Sequence, residues 1–199
     1  MPFRTFVFAL IYVESSRMLI DKYLARFHFR EYHFKRINHQ SENSYELMLH
    51  TDASNSPVIK LLFRLRGMPP GGRISEMEKL GFTKLEEKKG EEIVYGMIST
   101  TWIFGQCRHV TTPKEFIDDE DPKRIKAVIN FRIDENGSGS TISTETRVLC
   151  GSRSMKKKFR IYWFVVQPFS RLIRKLMLNE IKRNIMKQNH DIDSGLKTR

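Results

Sequence analysis

The stretch SRSMKKKFRIYWFVVQPFSRLIRKLMLNEIKRNIMKQ, Ser152–Gln188, decides how the rest of this chain is read. Met155, Phe159, Tyr162, Trp163, Val166, Phe169, Ile173, Leu176 and Met177 recur along it at helical spacing. Lys and Arg fill the positions between them. Residues 151–199 carry 13 Lys/Arg against three acids, a net of +10, whereas residues 1–150 hold 22 basic and 20 acidic side chains. The basic balance therefore belongs to one element. A helix that is apolar on one side and cationic on the other must bury its apolar side against something. Pro168 falls inside the pattern. It has no amide to donate and its ring crowds the carbonyl of Phe164, which predicts a kink or two abutting helices. Ile161–Val166 is apolar almost all round, which predicts that this half of the element is the more deeply buried. Residues 189–199 read as a frayed, disordered tail.

Upstream of this helix the period changes from 3.6 to two. Ile125, Ala127, Ile129, Phe131 and Ile133 fall on one face of a strand spanning Lys123–Asp134. Glu135-Asn136-Gly137-Ser138-Gly139 supplies a turn, and Ile142, Thr144, Thr146 and Val148 share a face of the return strand. Phe82–Glu87 and Glu92–Phe104, with a break near Gly96, are further strands rich in β-branched and aromatic residues. Glu31–Ile37 alternates as a first strand. Short helices are expected from Ser41 to Met48, after Ser56-Pro57 and over Arg73–Leu80, the last ending at Gly81. Thr112-Pro113-Lys114-Glu115 has the form of a capping box. Strand, short helices, antiparallel strands and then one long helix make an α+β protein, with a curved antiparallel sheet wrapped around the terminal helix.

At 199 residues the chain suits one domain that buries about 70% of its unfolded surface. Hydrophobic residues make up 40% and aromatics 11%, which excludes a disordered chain. The two cysteines, Cys107 and Cys150, form neither a ligand cluster nor a bridge framework and read as reduced thiols. The six histidines are scattered without metal-ligand spacing, so no metal site is expected. Near the N-terminus, Phe6–Val13 is an apolar run after Arg4. It reads as a buried strand or helix start, as a short signal-peptide core, or as part of an extension preceding a start at Met18. It is too short to span a bilayer as a helix.

Several pieces together resemble the START-like, helix-grip (SRPBCC-type) superfamily, and most closely its small bacterial members without an assigned activity. They are Asp21-Lys22-Tyr23-Leu24 with Phe27-His28-Phe29, Leu62-Phe63-Arg64-Leu65-Arg66-Gly67-Met68-Pro69, and Asn130-Phe131-Arg132. They continue in Ser143-Thr144-Glu145-Thr146-Arg147-Val148, and in Tyr162-Trp163 followed by Gln167-Pro168-Phe169-Ser170-Arg171-Leu172-Ile173-Arg174. The resemblance divides the chain into an N-terminal extension (1–20), a helix-grip domain (21–188) and a tail (189–199). It implies a fold and a cavity between sheet and helix for apolar or amphiphilic molecules, and it carries no reaction with it.

Tyr95, Met97, Trp102, Phe104, Phe131, Phe159, Tyr162 and Trp163 are the candidate lining of that cavity, a composition suited to a lipid-like ligand with few polar anchors. No catalytic residue, metal ligand or cofactor is assigned, and a binding protein is favoured over an enzyme. A polyketide cyclase-like or hydrolase-like enzyme remains the alternative. Strand parity puts Glu145 and Arg147 opposite Thr144 and Thr146, so they are expected on the outer surface, with Asn130 beside Glu145 in a polar ladder. With the opposite parity they would be a buried acid/base pair inside the cavity. The basic helix reads as a solvated face or as contact with an anionic membrane surface. Nucleic acid is disfavoured, because the aromatics lie on the apolar stripe rather than among the cations. The expected location is cytoplasmic, with a peripheral association at the inner face of the membrane as the extension of the membrane reading. Ligand identity and oligomeric state are not encoded in any motif.

Overall fold

A computed structural model describes residues 18–38, 43–52, 57–65, 73–100, 107–108, 110, 112–137 and 139–196. In chain order the elements are α1 (Leu19–Tyr23), β1 (Phe29–Ile37), α2 (Ser44–His50), α3 (Pro57–Leu65), a 3₁₀ turn (Ile74–Leu80) and β2 (Thr83–Lys88). They continue with β3 (Glu92–Ser99), β4 (Cys107–Arg108), α4 (Pro113–Asp118), β5 (Ile125–Asn136), β6 (Gly139–Cys150) and α5 (Arg153–Leu196). The sheet is antiparallel throughout the described residues. It runs β1-β6-β5-β3-β2, with the short β4 extending the far edge alongside β3. An α+β chain with a curved antiparallel sheet and a long C-terminal helix is thus what the sequence folds into.

The local signals explain most boundaries. Thr112 Oγ1 accepts the amide of Glu115 at 3.1 Å, and Pro113 opens α4 where its missing amide costs nothing. Pro57 opens α3 in the same way. Gly81 ends the 3₁₀ turn at φ 85°, a conformation that strains any residue with a Cβ. The β5–β6 hairpin has the predicted register, pairing Ile129 with Thr146 and Asn130 with Glu145. β3 runs unbroken through Gly96, which stays in the ladder opposite Val128.

Three expectations for the terminal helix are corrected. It is continuous from Arg153 to Leu196, so the two abutting helices expected as the alternative to a kink at Pro168 are excluded, and it does not end at Gln188. Pro168 and Phe164 are both exposed, and water can take the hydrogen bond that the carbonyl of Phe164 loses. Beyond Pro168 no helix breaker precedes Gly195, so propagation carries the helix into the segment read as a tail. The burial of its two halves is also the reverse of the expected one. Leu178, Ile181 and Ile185 are buried, packed between the sheet and the α2 residues Tyr45, Met48 and Leu49. In the N-terminal half, Ile161, Phe164 and Val165 are exposed. A segment apolar all round has no preferred side, so its sequence alone does not say how much of it is covered; α2 and α3 both pack on this helix and so decide the matter.

The sheet is covered on both faces. α5 lies over one face, where two apolar clusters form. One gathers Ile93, Tyr95, Ile129, Phe131 and Ile142 with the C-terminal half of α5. The other gathers Ile125, Ala127, Val148 and Cys150 with Phe159 of its N-terminal half. On the reverse face Ile20, Tyr23 and Leu24 pack on Leu85, Val94, Ile98, Phe116 and Val128. α1 straddles residue 20, so the start of the sheet-covering segment lies within the stretch assigned to an extension.

Candidate functional site

The eight candidate lining residues divide between the two clusters under α5. Tyr95 and Phe131 are buried in the first. Phe159 is buried in the second, with Met97, Tyr162 and Trp163 half-buried around it. Phe29 joins them, its ring 5.0 Å from Phe159 and 5.6 Å from Trp163, and Phe159 lies 5.5 Å from Tyr162. Trp102 and Phe104 lie outside the described residues, as does the apolar run near the N-terminus.

Between the apolar clusters lies a polar centre that periodicity did not single out. β1 pairs with β6 so that Glu31 stands opposite Thr146 and His33 opposite Thr144. Residues two apart on a strand share a face, and opposite residues on paired strands bring their Cβ atoms within about 5 Å. All four therefore face α5. From the helix, Arg174 donates to Thr144 Oγ1 at 2.5 Å and to Thr146 Oγ1 at 2.7 Å, which fixes the side on which this centre lies. His33 Nε2 and Glu31 Oε1 share a hydrogen bond at 2.7 Å. Glu31 is 6% exposed, and its second oxygen, Oε2, is buried with no hydrogen-bond partner among the described residues. A buried acceptor left unmade costs about 1–3 kcal/mol, and more when it is charged.

A signal for these residues was present in the chain. Glu31 and His33 alternate with the exposed Arg30, Tyr32 and Phe34 and share the parity of the buried Ile37. Arg174 lies eleven residues after Trp163 and seven before Ile181, which puts it on the inward line of the helix. Its charge made it read as part of the outer cationic face, and that reading is corrected here. Its guanidinium works inside, against two threonine hydroxyls.

Glu145 and Arg147 occupy the parity expected of them, opposite Thr144 and Thr146, but not the environment. Glu145 is 0% and Arg147 4% exposed, because α1 and the chain after it cover the reverse face. The polar ladder is therefore buried. Arg147 Nε and Arg30 Nε each donate to Glu145 Oε1 at 2.7 Å, and Arg147 Nη1 reaches Asp21 Oδ1 at 2.7 Å and the carbonyl of Leu24 at 3.1 Å. Phe27 lies against the same guanidinium, 5.0 Å from its carbon. Asn130 accepts the amide of Glu145 at 2.7 Å and donates to Glu92 Oε1 at 2.7 Å. Glu92 in turn accepts the amides of Leu19 at 2.8 Å and Ile20 at 3.4 Å, two of the donors that the start of α1 leaves unpaired. Burial would raise the Glu145 carboxyl, but the hydrogen bonds from Arg30 and Arg147, with their charges, outweigh it and hold the group below its ordinary range. This network fastens α1 to the sheet and lies on the face away from α5. Cys150 is a buried free thiol, pushed up to about 11 by burial, and so is inert as a nucleophile at neutral pH.

No protein-family model and no curated protein matches the sequence. Among solved structures the chain is matched to the crystal structure of TTHA0849 from Thermus thermophilus, at 8% identity and a TM-score of 0.32, over 80% of this chain and 99% of that one. At that score the likeness carries no argument. Among the described residues no helix is long and apolar enough to cross a membrane.

Proposed function

We propose that this is a START-like helix-grip protein that binds an amphiphilic small molecule between the sheet and α5. The apolar body would lie along Phe29, Met97, Phe159 and Trp163, and the polar end would meet Glu31, His33 and Arg174. The observation that carries the reading is the partnerless Oε2 of Glu31, buried on the helix-facing side of the sheet. An open carboxylate oxygen there calls for a hydrogen-bond donor, so the polar end of the ligand carries a hydroxyl, amide or amine. The side chains beside it, Phe29, Met97, Phe159 and Trp163, are aromatic and aliphatic, the composition that small-molecule sites generally have.

Native mass spectrometry of the freshly purified full chain tests this. The expected result is a co-purified amphiphile that is depleted in Glu31→Ala, a variant that removes the open acceptor. A bare chain from several expression hosts, or an adduct unchanged by Glu31→Ala, would overturn the reading. A second reading is favoured by the Glu31–His33 pair, in which a carboxylate orients an imidazole as it would a general base. A hydrolase of this kind would turn over p-nitrophenyl esters and lose that activity in His33→Gln.

A further inference from the structure

The N-terminal half of α5 exposes a row of large apolar side chains on the side away from the sheet. Ile161 is 71% exposed, Phe164 81%, Val165 59%, Phe169 41% and Leu172 42%. Their spacings of three, four and seven residues set them along one face of a helix. Isolated apolar residues on a surface are ordinary, but a contiguous row marks an interaction site. Around the row, Arg153, Lys156, Lys157, Lys158, Arg160, Arg171 and Lys175 are all exposed, and the helix carries no acid between Arg153 and Asn179.

We infer that this face docks on an anionic lipid bilayer, with α5 lying in the plane of the interface. The charge pattern selects the occupant. A bilayer with anionic headgroups offers an apolar layer for Phe164 and its neighbours and negative charge for the flanking Lys and Arg, the arrangement of an interfacial amphipathic helix. A second copy of the same face would set seven cations against seven, with no acid to offset them. A nucleic acid would satisfy the cations and stack bases on Phe164 and Phe169, but it would leave the aliphatic Ile161, Val165 and Leu172 in water. The docking stands independently of whether the interior holds a ligand.

Co-sedimentation of the full chain with phosphatidylcholine vesicles, with and without phosphatidylserine, tests the inference. Binding should require phosphatidylserine and fade with added salt, as the screening length falls from about 10 Å at 0.1 M to about 3 Å at 1 M. Lys157→Gln, Lys158→Gln and Lys175→Gln should each weaken it by about fivefold. A chain carrying Ile161→Ser, Phe164→Ser and Val165→Ser should lose at least about tenfold while keeping its helical circular dichroism. Should that chain fail to fold, Phe164→Trp supplies the check. Its emission should move to the blue on phosphatidylserine vesicles and be quenched by brominated lipid. Equal binding to both vesicle types, none to either, or full binding by the serine variant would overturn the inference. So would a dimer in sedimentation equilibrium that the serine variant dissolves, since the face would then be a self-interface.

Discussion

Glu145 shows how much a single side chain depends on what lies over it. Its parity was legible, because Thr144 and Thr146 alternate with it on β6; its burial was not, because the cover arrives from residues 18–28, far away in sequence. The two arginines hold its carboxyl below its ordinary value of 4.5. A carboxyl whose folded value lies below its unfolded one contributes stability that is complete above about pH 4.5 and is lost as pH falls through the folded value. Removing it would leave Arg147 short of a partner in a dry site, while the half-exposed Arg30 turns to water. Glu145→Gln should therefore lose about 3–5 kcal/mol at neutral pH. In urea unfolding across a pH series, the gap between wild type and variant should narrow below about pH 4.5. A constant gap down to strongly acidic pH would mean that the carboxylate charge is not what stabilises the network. Glu31 was legible to the same degree: it shares the parity of Ile37, but an acid in an alternating strand is as compatible with an outer face as with a buried polar centre.

At the scale of elements, strands and short helices were legible because their signals are local. Thr112, Pro113 and Gly81 each act within one turn, and the hairpin register follows from period-two alternation around a glycine turn. The long helix was legible as an element but not as a packed body. Its heptad-like apolar positions fit two opposite arrangements, and α2 chooses between them by covering the C-terminal half. Two substitutions on the one helix measure the difference. Ile181→Ala, at a fully buried position, should cost about 2–5 kcal/mol. Phe164→Ser, 81% exposed, should stay within about 0.5 kcal/mol despite removing the larger side chain. Thermal or urea unfolding of the two variants decides this, and a large loss in Phe164→Ser would place that ring in the folded core.

Over the whole molecule the sheet serves two cores at once. The layer under α5 was legible, because the long helix and the alternating strands both point to it. The second layer rests on a five-residue helix and the loop after it, too short to show a period. If both layers belong to one cooperative unit, Ile20→Ala should cost about as much as Ile181→Ala, roughly 2–5 kcal/mol, with a single unfolding transition. A separate low-stability transition in Ile20→Ala, seen in hydrogen exchange of residues 18–24, would show that α1 detaches alone.

The pairing of β1 with β6 has a consequence for synthesis. Arg30 and Glu145, joined across these strands, are 115 residues apart in the chain. β1 leaves the ribosome early and has no strand to bond until β6 has followed it. For most of translation Tyr32 and Phe34 therefore belong to an unpaired strand, guarded by Arg30, Lys35 and Arg36 on the same segment. The nascent chain must hold this strand open, by charge or by a chaperone, until β6 has been made. Ribosome stalling before and after residue 150, read out by protease protection of β1, should show that strand secured only in the longer chain.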